Sequence, residues 1–290
     1  MTTVKPPPTA TPTGSSRETY RAELARLLDL DPAELTDATN LVDELHLDSL
    51  SLMVMLGWLE EHGVIIHTDQ TRLTTVHDVL CLLEKVGPLG LSIRVADEVD
   101  RGPLGIAGLT PSVRGPADPL APVMGDRAFR LDPVQPEDVG FLYTLAAQPD
   151  TSFRWRYRGA APSFQRFVDD MWQQVLVQYV ARRTGDNTPA GHLVAYGADA
   201  AVHHVYVGAA FLPSYTRTGL AAQAVTLLVR FLFHTFPLKK VYLEVPGFNY
   251  AQISSGEGRL FQVEGRLRDH CYYAGRYWDQ YLCAIYQPAR

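Results

Sequence analysis

Residues 87–127 divide this chain. They hold seven glycines and six prolines, with Gly-Pro pairs at 87–88, 102–103 and 115–116. No hydrophobic period persists through them. Proline removes backbone donors and glycine loosens the backbone, so neither a long helix nor a strand continues here. A linker of this kind, stiffened in places by proline, separates segment 17–86 from segment 128–290. Charge divides at the same place. Residues 17–86 hold 14 Asp/Glu against 5 Lys/Arg, a balance of −9, while the whole chain of 290 residues carries −6. Residues 1–16 contribute only Lys5, which leaves residues 87–290 at +2. An acidic first module and a near-neutral second one point to two domains of different kinds.

Several function classes drop out at once. There is no broad basic field, which argues against a nucleic-acid partner. No stretch is long and apolar enough to span a bilayer, so no membrane role is expected. Cys81, Cys271 and Cys283 are too few and too scattered for a disulfide framework or a metal site, and no metal is expected. Residues 1–16 are rich in Thr and Pro and lack an apolar core, so they read as a disordered leader and not as a signal peptide or anchor. The expected location is the cytoplasm.

The first module reads as helices. From Arg17 to Leu30, Tyr20, Leu24, Leu27 and Leu28 share one face. A second helix opens at Asp48-Ser49 and runs to about Glu61, where His62-Gly63 stops it. Asp48 stands at the N-cap, and Ser49 is the first helical residue, with its hydroxyl outward. The positive end of the helix favours an anion attached there. Leu50, Met53 and Leu56 repeat at helical spacing, with Leu52, Met55 and Leu59 alongside. A last helix is capped by Thr74-Thr75 and carries Val76, Val79, Leu80, Leu82 and Leu83.

On these residues segment 17–86 resembles an acyl or peptidyl carrier domain. The points of likeness are the first amphipathic helix, a long loop, Leu47-Asp48-Ser49-Leu50 opening the second helix, Glu60-Glu61 near its end, and Thr75-Val76 starting the last. The resemblance implies that Ser49 carries 4′-phosphopantetheine, a flexible arm whose thiol holds an acyl group as a thioester. It implies a phosphopantetheinyl transferase and an acyl-loading enzyme as partners. It also implies a docking face around Asp48, Leu50, Met53, Glu60 and Glu61, and Asp43 and Glu44 extend its acidic character. His46 stands where the family usually has glycine, and it is expected to alter the shape of the loop but not the chemistry.

From residue 128 the pattern becomes α/β. Phe129–Val134 alternates as a strand, and Gln135–Asp138 opens a helix through Leu145. Arg154-Trp155-Arg156-Tyr157-Arg158 is a basic-aromatic patch, readable as a half-buried loop, a pocket wall or a docking site for the acidic module. Ser163 caps a helix to Trp172. Strands follow at Val175–Ala181, His192–Ala198 and Val202–Phe211, then a helix from about Gly219 to His234 and a strand at Val241–Val245. A short helix begins at Asn249. A final strand pair turns at Ala274-Gly275.

Segment 129–287 resembles a GCN5-related N-acetyltransferase (GNAT) domain, nearest the branch of ribosomal-protein N-acetyltransferases. The likeness rests on 212–224, on Asn249, and on Leu260–Arg268 with its Val-Glu-Gly-Arg run. It implies an α/β domain with a mixed, mostly antiparallel sheet. It also implies a phosphate-binding loop at Thr216, Arg217, Thr218, Gly219, Leu220 and Ala221, with Asn249 nearby, where backbone amides hold the pyrophosphate of coenzyme A. The loop departs from the family pattern: Thr216 replaces Arg or Gln, and the bulky Arg217 replaces a small residue. Gly256 stands where many members carry a tyrosine general acid. An attacking amine must lose a proton, and His203, His204, Glu244 and Tyr273 are the candidates for receiving it. Each also reads as a polar residue at a strand end, and positioning alone can carry much of an acyl transfer to an amine.

The whole chain therefore reads as a carrier bundle fused to a GNAT-like acyltransferase. The expected reaction moves an acyl group from the Ser49 arm to a small amine or amino-acid-derived acceptor, in specialised metabolism such as antibiotic biosynthesis. Alternatives are acylation by acyl-coenzyme A of an aminoacyl group on the arm, a non-catalytic platform for the carrier, and decarboxylation of a malonyl-type thioester.

Overall fold

A computed structural model describes residues 16–64, 73–86 and 120–288. Residues 1–15 of the expected leader and residues 87–119 of the linker lie outside the described residues. Helix α1 spans Ser16–Leu28. It ends two residues short of the expected Leu30, because Asp29 takes a left-handed conformation with φ 57°. Helices α2 (Ser49–Glu61) and α3 (Val76–Val86) complete the helical domain. Leu24, Leu41, Met55, Leu59, Val79 and Leu80 fill its interior. The long loop is tied down by Arg17, which donates to Asp37 and to Glu84, both at 2.7 Å. Arg17 beside Asp37 is the main cause holding that carboxyl down at about 2. His46 has φ 51°, the conformation that glycine favours.

Helix α2 is apolar on two sides, and the sides have different partners. Leu52, Met55 and Leu59 pack into the helical domain. Leu56 is buried in the core of the second domain, and Leu50 packs against that core. Met53 is 1% exposed, and Thr226 of the second domain donates to its sulfur at 3.9 Å. A helix that is hydrophobic nearly all round must be covered on both sides.

The second domain is a seven-stranded sheet in the order β1-β2-β3-β4-β5-β7-β6. Its strands are β1 (Phe129–Pro133), β2 (Val175–Arg183), β3 (Pro189–Asp199), β4 (His204–Phe211), β5 (Lys240–Pro246), β6 (Gln262–Tyr273) and β7 (Arg276–Tyr286). Only β4 and β5 are parallel. Between β1 and β2 lie α4 (Val139–Ala147), α5 (Pro149–Ser152) and α6 (Phe164–Asp170). Helix α7 (Leu220–Thr235) connects β4 to β5, and α8 (Gly247–Tyr250) follows β5. Strand β4 starts two residues later than its sequence pattern indicates, because residues 201–203 form a turn with His203 at φ 56°. The β6–β7 turn falls at Ala274-Gly275, both with positive φ, as a two-residue hairpin requires.

The end of the presumed linker is not free chain. Val123 and Met124 pack on the sheet core, Gly125 pairs with Arg130, and Asp126 accepts from the backbone of Ala128 and Phe129 at 2.8 and 2.7 Å.

One break in this sheet makes the site. Pairing between β4 and β5 stops at Tyr206–Tyr242. Beyond that pair the two strands are no longer paired, and no strand among the described residues fills the gap.

Candidate active site

The gap opens into a cleft of about 1250 Å³. Successive side chains on a strand point to opposite faces, so the register tells which wall belongs to which face. Val205, Val207, Val241 and Ile285 join the core under α7. Tyr206, Gly208, Tyr242 and Glu244 therefore look the other way. The cleft is lined by Val207, Leu243 and Ile285 and also by Gly208, Glu244 and Gln280, so it passes from one face of the sheet to the other.

Ser49 stands at the α7 mouth of this cleft, with Leu50 beside it. Its position is fixed by hydrogen bonds between domains. The Ser49 N–H donates to the Gln252 carbonyl at 2.9 Å. Asp48 Oδ1 accepts from the N–H groups of Leu50 and Ser51 at 3.2 and 2.9 Å, the expected cap. Asp48 also accepts from Ser255, at Oδ2 from the backbone N–H (2.8 Å) and at Oδ1 from the hydroxyl (2.5 Å).

Two glycines allow α2 to approach. A Cβ on Gly256 would lie 2.3 Å from Leu50 Cδ1 and 2.9 Å from the Phe261 ring. A Cβ on Gly219 would lie 2.5 Å from the backbone nitrogen of Met53. Gly219 also has φ 78°, so this position requires glycine for two reasons. The space that a tyrosine side chain would need at 256 is filled by the Leu50 side chain.

Of the candidate phosphate loop, Thr216, Arg217 and Ala221 line the cleft, as does Asn249. Thr218 instead holds the turn: its hydroxyl donates to the Tyr215 carbonyl at 2.8 Å and accepts from the Leu220 N–H at 3.3 Å. Leu220 is a core residue. Arg217 is exposed and has φ 59°. No ion pair joins it to a carboxylate among the described residues. Asn249 Oδ1 is buried without a hydrogen-bond partner. These features fit a phosphopantetheine arm: Ser49 at the mouth, an unpaired cation for its phosphodiester, and a lone amide acceptor farther in for an arm rich in amide N–H groups.

The candidate docking and proton-accepting residues separate in space. Asp48, Leu50 and Met53 contact the second domain. Burial pushes Glu60 up to about 7, against a smaller lowering by Arg127 and with a smaller raise from Asp126. Glu61 is exposed, and no described contact joins it to the second domain. His203 and His204 do not reach the cleft. His203 Nδ1 bonds the Pro237 carbonyl at 2.9 Å, and His204 packs edge-on to Tyr206 and Tyr242. They sit at the paired start of β4, whereas the opening begins after Tyr206. Sequence proximity to strand four put both near that strand, but His203 lies in the turn before it and His204 at its first residue, away from the opening.

Glu244 does reach the cleft, and it accepts from the Tyr196 hydroxyl at 3.2 Å. Burial, then the Glu244 charge, push the Tyr196 phenol well above its usual range, so it stays protonated and donates. Tyr273 lines the cleft and stacks flat on Phe153, with ring centroids 4.2 Å apart. The basic-aromatic patch 154–158 is a wall of the cleft. A Cβ on Gly208 would meet Trp155 at 2.9 Å. Trp155 in turn lies edge-on to His192. His192 is fully buried, bonded to Gln178 at 2.9 Å, and held neutral by burial with a pKa of about 3.

Sequence reasoning missed Ser255, Gln252, Tyr196 and Gln280. The latch residues carry no motif. The one signal available was the second apolar row on α2, Leu50-Met53-Leu56, which needed a partner outside its own bundle.

Comparison with known families finds two matches. Residues 20–80 match the family described as a phosphopantetheine attachment site. Residues 129–254 match the acetyltransferase (GNAT) domain. Among solved structures, spermidine N-acetyltransferase from Vibrio cholerae in complex with CoA and spermine is similar at 18% identity, covering 55% of this chain and 96% of that one with a TM-score of 0.49. The spermidine/spermine N-acetyltransferase SpeG of Vibrio cholerae with manganese ions is similar at 18% identity, covering 55% and 93%, with a TM-score of 0.47. A comparison with curated proteins finds no match. The chain thus joins a phosphopantetheine carrier domain to an N-acyltransferase domain of the GNAT type. No helix among the described residues is long and apolar enough to cross a membrane.

Proposed function

We propose that the chain is an acyltransferase that carries its own donor, in which an acyl group on the Ser49 arm passes to an amine bound at the far end of the cleft. The observation that carries this reading is the seating of Ser49 at the mouth of the cleft by Asp48–Ser255 and Ser49–Gln252 hydrogen bonds. The arm supplies a thioester that can enter the opening between β4 and β5. Arg217 holds its phosphodiester, and Asn249 Oδ1 accepts from an amide of the arm. Backbone groups of β4 beyond Tyr206, unpaired toward β5, are free to donate to a carbonyl oxygen there. Glu244, held by Tyr196, accepts the proton that the amine loses. Delivery in cis removes the need to capture a donor from solution, since a tether alone gives an effective concentration of roughly millimolar.

Free acyl-coenzyme A is disfavoured as the donor by the same geometry. Met53 lies against Gly219 at the N-terminus of α7, so a nucleotide needing that helix end would first have to displace the helical domain. An acyl-loading enzyme and a phosphopantetheinyl transferase complete the cycle, which fits specialised metabolism.

Intact-protein mass spectrometry after treatment with a phosphopantetheinyl transferase and acyl-coenzyme A donors tests the reading. Wild type should gain the acylated arm and lose its acyl group when an amine is added, and Ser49→Ala should gain nothing. Full-rate product from acyl-coenzyme A with Ser49→Ala would refute it.

A further inference from the structure

The far chamber of the cleft carries charges that amine acylation alone does not require. Five arginines line the cleft against three carboxylates, Asp150, Asp170 and Glu244. Two of the three carboxylates lie off the strands that form the opening. Arg166 pairs with Asp170 at 2.7 Å, and Asp150 is an exposed residue of α5. Glu244 is the carboxylate at the opening itself, and its described partner is the neutral Tyr196 hydroxyl. Arg158 faces the same space. Its Nη1 lies 3.9 Å from Cys271 Sγ, which donates to Gln280 Oε1 at 3.0 Å. Cys271 and Gln280 are both buried and sit on the strand pair next to Glu244. The charges of Arg158 and Glu244 both act on Tyr196 and on Cys271. Yet no ion pair joins Arg158 to Glu244, nor either one to any other described residue.

Arg158 is also held in an unusual backbone state. Its φ is 48°, a conformation that residues with a Cβ rarely adopt and one that tends to persist at binding sites. It is fixed there by its own N–H donating to the Trp155 carbonyl at 2.8 Å and by the Gly159 N–H donating to Ser152 at 3.0 Å. A cation and an anion thus line one cleft, each without a charged partner among the described residues.

We infer that this chamber takes an acceptor bearing both an amino group and a carboxylate, that is, a free amino acid, with the carboxylate on Arg158 and the amine at Glu244. The inference rests on the cleft acylating an amine and names the class of that amine. A guanidinium recognises a carboxylate through paired N–H donors. An ammonium beside Glu244 is the group that must lose a proton to react. Polyamines and simple amines offer nothing to Arg158, and a polyamine brings a second cation toward it. Selection then comes from repulsion as well as attraction.

The test compares matched acceptors on the full chain carrying an acylated Ser49 arm: several L-amino acids and β-alanine, each against its amide, with spermidine as the polyamine. The free acid should exceed its amide by about 10- to 100-fold in kcat/KM, the range expected of one hydrogen-bonded charge contact. Arg158→Gln should bring that ratio close to one. Independently of activity, calorimetry should detect the favoured amino acid binding to the unacylated chain, and Arg158→Gln should abolish that binding. Equal use of acid and amide, preference for spermidine, or an unchanged ratio in Arg158→Gln would overturn the inference while leaving carrier-dependent acylation standing. An acylated arm that no amine discharges would overturn the underlying reading itself.

Discussion

Asp48 of the helical domain grips Ser255 of the sheet domain with both carboxylate oxygens, at 2.8 Å to the N–H and 2.5 Å to the hydroxyl, while Oδ1 also caps its own helix. One side chain therefore starts α2 and latches it over the cleft. Substitutions can separate the two roles. Ser255→Ala removes only the hydroxyl bond and should weaken docking by about 1.5–3 kcal/mol, as for a hydrogen bond to a charged group, with no change in the melting of the helical domain. Asp48→Ala should also lose the cap, about 1 kcal/mol of helix stability. Energy transfer between dyes on α1 and on the β2–β3 turn reads docking, and thermal melting reads stability.

Gly256 and Leu50 form a second, steric relationship. Gly256→Ala places a methyl group against Leu50 and Phe261. Overpacking of this kind costs about 1–3 kcal/mol, which should lower the docked fraction. Leu50→Ala in the same chain vacates the space and should restore part of it. A double-mutant cycle with no coupling between 50 and 256 would contradict the contact.

Docking should depend on pH through Glu60. Its carboxyl is raised from 4.5 to about 7, chiefly by burial, with Arg127 and Asp126 of the sheet domain the charged groups facing it. A docked state that raises a carboxyl's pKa binds the proton more tightly than the open state. Its contribution is full below about 4.5 and is lost as pH rises through about 7. The same dye pair should therefore report weaker docking at pH 8 than at pH 6, and Glu60→Gln should flatten the profile.

Glu244→Gln should lower kcat by about 10²–10⁴-fold if Glu244 accepts the amine proton. Tyr196→Phe should cost less, because it removes only the hydroxyl that orients Glu244. His203→Ala and His204→Ala should leave turnover within a few-fold of wild type, since neither side chain reaches the cleft. Single-turnover discharge of the acylated arm measures all four.

Delivery in cis has its own test. A chain with Ser49→Ala keeps an intact cleft, and a chain with Glu244→Gln keeps an intact arm. Mixed together, they should remain nearly inactive if each arm serves its own cleft. Recovery toward half of wild-type rate would show that arms exchange between chains.

The order of helices and strands was largely legible in the sequence, because it follows local rules. The N-cap at Asp48, the stop at His62-Gly63, the two-residue turn at Ala274-Gly275 and the alternation along the strands each depend on a few adjacent residues. The identity of the two domains followed from Asp48-Ser49-Leu50 and from the 212–224 run for the same reason. His203 and His204 were misjudged because a residue's strand says nothing about where that strand parts from its neighbour. The separation after Tyr206–Tyr242 is a property of pairing between β4 and β5, which are joined through a 16-residue helix.

Sequence by itself determined that α2 has two apolar rows and a serine at its positive end. Only the tertiary structure decided what the second row covers. Burial of Leu50, Met53 and Leu56 needs a complementary surface, and that surface is assembled from residues about 160 to 210 positions away: Gly219, Thr226, Ser255 and Gly256. Read along the chain, Gly219 is an ordinary member of a phosphate loop and Gly256 stands where a tyrosine is expected. In the folded protein both lie directly against α2, because a residue without a Cβ is what lets another backbone or side chain come that near.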